Sequence, residues 1–359
     1  MEVKSKVKPL GILIIIFLVL IVLLGVSVGY VLYLGTPVNK SSKKSIEIEI
    51  KPGTNSSSIG TILKDKDLIR SEFYFKLYLK LNNINDLKAT TYNLNKSMST
   101  KEIISILQKG NSYNPDAIKI TFKEGLWIID YAKVISENTN NSYDEVIAKF
   151  KDIEYTKTLI DKYWFLSEEI LNKNIYYPLE GYLAPDTYYF DNKNVSVDVI
   201  INKMLDETGN KLTPYKELVK DKVHYYMTMA SILELEGTNT DNRKNINSVF
   251  VNRLNKKMNL GSDVTTYYGL QTSMDKDLNT EQFASVNGYN TRSTTMMGKM
   301  PVGPICNFSK SSLEASVNPT STDYFYFVAD KYGNIYFTRN LNEHNSKVAE
   351  IKAKGDWIF

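Results

Sequence analysis

The N-terminal part of the chain contains an uncharged stretch, residues 9–39, that constrains the fold more than any other feature. About 25 consecutive residues of it are predominantly apolar, and roughly 20 apolar residues in a helix can span the hydrocarbon core of a bilayer. We therefore predict a single transmembrane helix over residues 10–34, preceded by a cytoplasmic tail of residues 1–9. The alternative is a cleaved secretory signal, which normally has a shorter apolar region closed by small residues.

Lysines on both sides of this stretch bear on its orientation. Lys4, Lys6 and Lys8 precede it, and positive charges next to a membrane segment favour the cytoplasmic side. Three further lysines between residues 40 and 44 weaken this bias without reversing it, because the first flank usually dominates. We expect a cytoplasmic N-terminus and an exported remainder.

The rest of the composition excludes several classes of protein. Lys and Arg together number 44 and Asp and Glu 40, which gives no basic surface of the kind that nucleic-acid-binding proteins carry. One cysteine, Cys306, and two histidines, His224 and His344, cannot assemble a common zinc site. No phosphate-binding glycine loop is present. We predict no metal, no cofactor and no nucleic-acid partner.

Hydrophobic periodicity divides the exported part into two α+β regions after a polar linker of residues 35–45. The alternating residues 46–50 (IEIEI) predict a strand, and a capping box at Ser99–Glu102 opens a helix that ends at Gly110. These elements define a small α+β module over residues 46–112.

A larger mixed α+β domain is predicted over residues 113–359. It contains a second capping box at Ser142–Glu145, a helix that ends near residue 236, a helix closed by Gly261, and a hairpin that turns at Gly333. Residues 262–309 are expected to form irregular loops.

Two glutamates end an otherwise apolar helix at residues 230–237 (ASILELEG). Positions i and i+2 of a helix point about 200° apart, so only one of Glu234 and Glu236 can face a given groove. Apolar neighbours lie beside both, and an apolar setting raises a carboxyl pKa and favours a proton donor. The local pattern does not choose between them, and two solvated charges at a helix end are the alternative.

Several ordered segments resemble the MltG (YceG-like) endolytic murein transglycosylases. The resemblance covers essentially the whole chain, and its most specific segment is residues 179–190 (LEGYLAPDTYYF). The other segments follow in the family's order: residues 230–236 (ASILELE), 248–254 (SVFVNRL), 260–265 (LGSDVT), 289–291 (YNT), 301–307 (PVGPICN), 324–330 (YFYFVAD) and 343–345 (EHN).

The resemblance implies an activity and a catalytic residue. Members of this family cleave the bond between N-acetylmuramic acid and N-acetylglucosamine inside peptidoglycan strands and leave a 1,6-anhydro end. One glutamate acts as acid and then as base, and the family's motif places it at Glu236. The implied setting is the bacterial cell membrane beside peptidoglycan synthases, with nascent glycan strands as substrate. The module at residues 46–112 resembles the family's LysM-like domain.

Other positions of the family's motifs are expected to line the cleft and bind sugar groups: Asp263, Asn290, Thr291, Glu343, His344 and Asn345. Arg253 is expected to form a structural ion pair, and Glu234→Gln to cost less than about tenfold unless Glu234 orients the helix end. The chain departs from the family at Gly261, Val264 and Val302, which leaves its glycan subsite preference open. A catalytically inactive glycan-binding scaffold and a hydrolytic muramidase are the alternative functions.

Overall fold

A computed structural model describes the backbone of residues 9–110 and 116–357, and the side chains within these ranges from Leu18 onward, except that of Leu24. Contacts between residues divide the chain into two units, residues 1–117 and residues 118–359. Most of the predicted cytoplasmic tail, and the predicted domain boundary after residue 112, lie outside the described residues.

The first unit contains a two-stranded antiparallel sheet in which Ile48 pairs with Tyr92. The capping box at Ser99–Glu102 is confirmed, and Gly110 ends the helix in the left-handed conformation that favours glycine, with φ of 74°. The elements of this unit are α1 (Pro9–Leu34), β1 (Ile46–Glu49), α2 (Ser56–Asp65), α3 (Glu72–Leu81), β2 (Thr91–Leu94) and α4 (Thr100–Lys109).

Helix α1 covers the segment that the sequence predicts to cross the membrane, but many of its side chains lie outside the described residues. Over the residues that are described, no helix combines the length and the apolar character needed to span a bilayer.

The second unit is mainly helical and carries two short antiparallel strand pairs, so the fold class is mixed α+β. Its strands are β3 (Ile118–Thr121), β4 (Thr187–Phe190), β5 (Tyr326–Ala329) and β6 (Ile335–Thr338). Its helices are α5 (Ile128–Asn138), α6 (Tyr143–Phe150), α7 (Ile153–Lys162), α8 (Val197–Leu212), α9 (Lys216–Val219), α10 (Val223–Glu236), α11 (Thr240–Asn255), α12 (Asp263–Gly269), α13 (Thr280–Phe283), α14 (Lys310–Val317) and α15 (Leu341–Ala353).

Helix α10 lies at the centre of this unit and packs against α11, α12 and α14. Every residue from Met227 to Leu233 is buried, because this stretch is apolar or small on all sides and contributes to two core clusters. The last turn, where the two glutamates lie, is only partly buried. The core therefore fixes the position at which these carboxyl groups appear.

The structure corrects the sequence prediction in two places. Residues 262–309 are not wholly irregular, since they contain α12, α13 and a short 3₁₀ turn at Thr294–Met296. The helix expected to close at Gly261 ends at Asn255 instead, and Gly261 lies in the connection to α12. The second capping box, Ser142–Glu145, is confirmed.

Candidate active site

The C-terminal end of α10 is a sharp stop. Gly237 donates its backbone N–H to Leu233 at 3.0 Å and leaves the helix in an extended conformation. A Cβ atom at position 237 would lie 2.5 Å from Cγ of Arg243, so only glycine fits this close approach. Glu236 is therefore the last helical residue, and Glu234 lies on the opposite side of the same turn.

Glu234 is bound by donors on both carboxylate oxygens. Oε1 accepts from Nη2 of Arg243 at 3.1 Å, and the two side chains are only 8% and 11% exposed. Oε2 accepts from the backbone N–H of Ser309 at 2.9 Å, from its hydroxyl at 2.6 Å, and from the hydroxyl of Ser312 at 2.5 Å. These four donors match the roughly four acceptor positions of a carboxylate, which leaves none for a substrate.

Glu236 has a different environment. It is half-buried, and the hydroxyl of Ser262 donates to Oε1 at 2.6 Å. Among the described residues, no donor or cation bonds to Oε2. Burial raises the pKa of Glu236 to about 7, against the hydrogen bond from Ser262, which lowers the pKa. A carboxyl group of this kind is partly protonated at neutral pH and can both give and take a proton.

Ser262, which the sequence does not single out, is fixed by two threonines. Its backbone N–H donates to Oγ1 of Thr291 at 3.0 Å, and its carbonyl accepts from Oγ1 of Thr265 at 2.6 Å. The two threonine hydroxyls lie 2.8 Å apart. Ser262 precedes the first residue of α12 and lies within the family segment at residues 260–265, and these are the sequence signals that could have indicated it.

Asn290 and Thr291 are fully buried behind Ser262. Asn290 accepts from the hydroxyl of Thr266 at 2.7 Å and donates to the carbonyl of Ser285 at 2.6 Å. Both residues therefore support the loop that carries Ser262. The sugar contact predicted for them stays a prediction, and they expose no surface for it in this structure.

Charged side chains near Glu236 act on its proton affinity. Asp263 pairs with Nε of Arg292, and both side chains are nearly half exposed. Asp263 raises the pKa of Glu236, while the guanidinium groups of Arg292 and Arg253 lower it; all three effects are smaller than that of burial. Of the predicted sugar-binding residues, Asp263 is thus beside the candidate acid and accessible.

Arg253 does not form the ion pair expected from the sequence, as far as the described residues show. Its Nε donates to the carbonyl of Phe325 at 2.7 Å, its Nη1 donates to the carbonyl of Leu260, and its guanidinium lies 5.2 Å from the ring centre of Tyr326. These contacts hold a positive charge in place without neutralising it.

The three residues at the start of α15 that were predicted to bind sugar have different surroundings in the structure. Glu343 is a capping residue that accepts from the backbone N–H of Arg339 at 3.0 Å. His344 lies 5.4 Å from the ring of Tyr326, and burial, followed by the charge of Arg253, lowers its pKa. Asn345 is exposed. His344 is the member of this group that shares neighbours with Arg253.

Glu180 is a second buried carboxyl that sequence reasoning passed over. Its oxygens accept from the backbone N–H of Ile128 at 3.1 Å, the hydroxyl of Tyr268 at 3.1 Å and Nδ2 of Asn307 at 3.2 Å. Burial raises its pKa to about 8. Glu180 joins the start of α5 to α12 and to the loop before α14, which is a structural role.

The described residues include no group of three or more His, Cys, Asp or Glu side chains placed to hold a metal ion. A cleft of about 630 Å³ opens near Tyr225 and Thr228, at the beginning of α10. Eleven residues separate Tyr225 from Glu236, or about 16 Å along the helix, so this cleft does not contain the candidate acid.

These contacts make Glu236 the candidate group for acid–base chemistry in this site.

The YceG-like family model matches residues 48–350. An endolytic murein transglycosylase of Bacillus subtilis (strain 168) is 39% identical over 329 residues, covering 89% of each chain. An endolytic murein transglycosylase of Streptococcus pneumoniae serotype 2 (strain D39 / NCTC 7466) is 34% identical over 368 aligned residues, covering 96% of this chain and 66% of that protein.

A solved structure is also similar. The crystal structure of a yceG-like protein from Listeria monocytogenes superimposes with a TM-score of 0.60 at 36% sequence identity, and covers 85% of this chain and 99% of that one. The chain belongs to the YceG-like family.

Proposed function

We propose that this protein is an endolytic murein transglycosylase, and that Glu236 is its catalytic acid and base. The observation that carries the proposal is a half-buried carboxyl with a pKa of about 7, one oxygen held by Ser262 and the other without a bond among the described residues. Relatives that cover most of the chain carry the same activity in their names.

The proposed reaction needs one proton carrier. Protonated Glu236 gives its proton to the oxygen between N-acetylmuramic acid and N-acetylglucosamine, and the C1–O bond breaks as that oxygen leaves as a hydroxyl. The carboxylate then takes the proton of the muramic C6 hydroxyl, and the oxygen of that hydroxyl bonds to C1. The product is a 1,6-anhydro ring, and Glu236 is again protonated. No water is consumed, and no second carboxylate is needed as a nucleophile.

The decisive experiment is product analysis on isolated glycan strands. The proposal predicts fragments with 1,6-anhydro ends, cut inside the strand. A hydrolytic muramidase would give reducing ends heavier by one water, and a glycan-binding scaffold would bind strands without cutting them. Mass spectrometry of the products separates the three outcomes.

We further propose that residues 10–34 anchor the protein in the bacterial cell membrane with the catalytic domain outside. The uncharged stretch, the helical backbone of α1 and the lysines before it support this topology. Fractionation followed by intact-mass measurement tests it, because a soluble exported chain that begins after residue 34 would indicate a cleaved signal.

The substrate setting follows from that topology. We propose that nascent glycan strands are cut beside peptidoglycan synthases, which would end strand elongation, and that residues 46–112 form a LysM-like module. The β–α–α–β–α order of the first unit supports a compact module there. Proximity labelling from the intact protein in cells, and glycan pull-down with the isolated second unit against the whole chain, test these two points.

A further inference from the structure

We infer that Glu234 and Arg243 are positioning residues, which fix the end of α10 so that Glu236 meets its substrate in a productive geometry. This inference rests on the proposed function. Neither residue takes part in the proton transfers, since Glu234 points to the other side of the helix and both of its oxygens are occupied.

Arg243 closes the helix end from the α11 side. The carbonyl of Leu233 accepts from the N–H of Gly237 and also from Nε of Arg243 at 3.3 Å. Nη2 of Arg243 reaches the side chain of Glu234 at 3.1 Å and its carbonyl at 3.5 Å, and the last carbonyl groups of a helix have no partner within it. Nη1 donates to the hydroxyl of Ser311 at 2.5 Å. One buried guanidinium therefore bonds to the backbone of α10, to Glu234 and to the start of α14.

Glu234 completes the connection from the α14 side. Ser309 is the N-cap of α14, and its N–H and hydroxyl both donate to Glu234 together with the hydroxyl of Ser312. A negative charge at this place also interacts favourably with the N-terminal end of the helix dipole. The ion pair thus joins the ends of three helices at the turn that carries Glu236.

The core holds α10 as far as Leu233, and residues 234–236 of the last turn are only partly buried. Gly237 leaves the helix at once, so no further turn follows Glu236. On the substrate side, the side chain is held by Ser262 through one hydrogen bond. Displacing a reacting group by about 1 Å can cost about 100-fold in rate. A loosened helix end would move Glu236 away from Ser262 and from the scissile bond together.

The test compares Glu234→Gln with Glu314→Gln in the full-length protein. Glutamine cannot offer two acceptor oxygens, so it leaves Arg243 or the serine donors without a partner. Glu314 forms a 2.8 Å ion pair with Lys244 that joins α11 to α14 as well, but it is more exposed, and its side chain has no hydrogen bond or ion pair to the described residues of α10. We expect kcat for anhydro-product formation to fall by about 10- to 100-fold in Glu234→Gln, with KM changed less than about threefold. Glu314→Gln should keep wild-type kcat.

A paired variant separates positioning from general loss of structure. Replacing both partners, in Glu234→Gln/Arg243→Gln, leaves no buried unpaired charge, so part of the lost stability should return. The positioning contact is still absent, so kcat should stay low and fall little further than in Glu234→Gln alone. If Glu234→Gln does not fold, Arg243→Lys decides: it keeps the positive charge but loses the bonds of the planar guanidinium, and kcat should fall about tenfold.

The outcomes distinguish this inference from the proposed function. A wild-type protein that makes no anhydro product would contradict the proposed function itself. An active wild type, together with unchanged kcat in a folded Glu234→Gln or in Arg243→Lys, would overturn the positioning role alone. A parallel fall in Glu314→Gln would also overturn it, because the effect would then be one of helix packing in general.

Discussion

The two sides of the last turn of α10 carry the same type of residue in opposite conditions. On one side, Glu234 is surrounded by a guanidinium, two hydroxyls and a backbone N–H. On the other side, Glu236 accepts one hydrogen bond, and burial raises its pKa to about 7. The difference teaches that the surroundings, and not the residue type or its place on the helix, decide which carboxyl is structural and which is chemically available.

The largest expected effect is that of Glu236→Gln. The amide keeps the shape and can still accept from Ser262, but it has no proton to transfer, so anhydro-product formation should fall by at least about 10²- to 10⁴-fold. The measurement is product release by the purified variant alongside its melting temperature. Near-normal turnover would show that Glu236 is not the acid.

Stability gives this variant a matched check. The folded-state pKa of Glu236 is raised above its usual value, so the ionised form is less favourable in the fold, and wild type loses stability as the pH rises from about 4.5 through about 7. Glu236→Gln has no such loss. Its melting temperature should therefore equal or exceed that of wild type at pH 8, and a lower value there would contradict the assigned environment.

On the other side of the turn, Glu234→Gln should lower stability in addition to kcat. Removing one partner of a buried ion pair costs about 3–5 kcal/mol, because the other charge stays buried without compensation. Chemical denaturation measures this loss. Glu314→Gln breaks an ion pair at the surface and should cost much less, because solvent screens both charges. Equal costs in the two variants would remove the contrast between the two sides.

A smaller, directional effect is expected from Ser262→Ala. The hydrogen bond from Ser262 lowers the pKa of Glu236, so its loss should raise that pKa. Because the first step needs the protonated acid, kcat/KM of wild type should fall above pH about 7, and the variant should keep its activity to higher pH.

The control for this shift is Ser293→Ala. Ser293 is a buried serine of the neighbouring loop whose hydroxyl lies 3.0 Å from that of Thr295. It should leave the pH profile in place. A profile that moves to lower pH in Ser262→Ala would mean that Ser262 does not stabilise the ionised form.

The smallest expected effect is that of metal removal. Proton transfer through Glu236 alone needs no metal ion, so exhaustive EDTA treatment should leave turnover unchanged. A loss that is restored by an added divalent cation would contradict this expectation and would point to carboxylates outside the pair compared above.

Local patterns in the sequence predicted the local structure well. The capping boxes at Ser99–Glu102 and Ser142–Glu145 involve residues three apart, so the sequence alone contains the whole interaction. The helix that ends at Glu236 was also predicted from a local pattern, which is its run of apolar residues. The choice between Glu234 and Glu236 was not local, and the sequence resolved it only through the family resemblance.

Long-range contacts account for what the sequence did not predict. Ser262 meets Glu236 across 26 residues, and β3 pairs with β4 across nearly 70. Helix α12 lies in the stretch predicted as irregular loops, and its β-branched threonines and its glycine are poor helix formers. Tertiary packing of Thr265 and Thr266 overrides that preference, since both are fully buried. Asn290 and Thr291 were predicted as ligands from the family's motif positions, and a single sequence does not show that both are fully buried.

The bond from Ser262 to one oxygen of Glu236 also has a consequence for the order of events. In the proposed reaction, the hydrogen bond at Oε1 leaves Oε2 as the atom that delivers the first proton and collects the second. The side chain does not need to rotate between the two transfers, so both proton transfers occur at the same atom, one after the other. The time between the two transfers is set by how fast the muramic C6 hydroxyl reaches Oε2. If a water molecule reached Oε2 first, the product would be a reducing end and not a 1,6-anhydro ring. Selectivity for ring closure therefore depends on the relative rates at which the C6 hydroxyl and water reach Oε2.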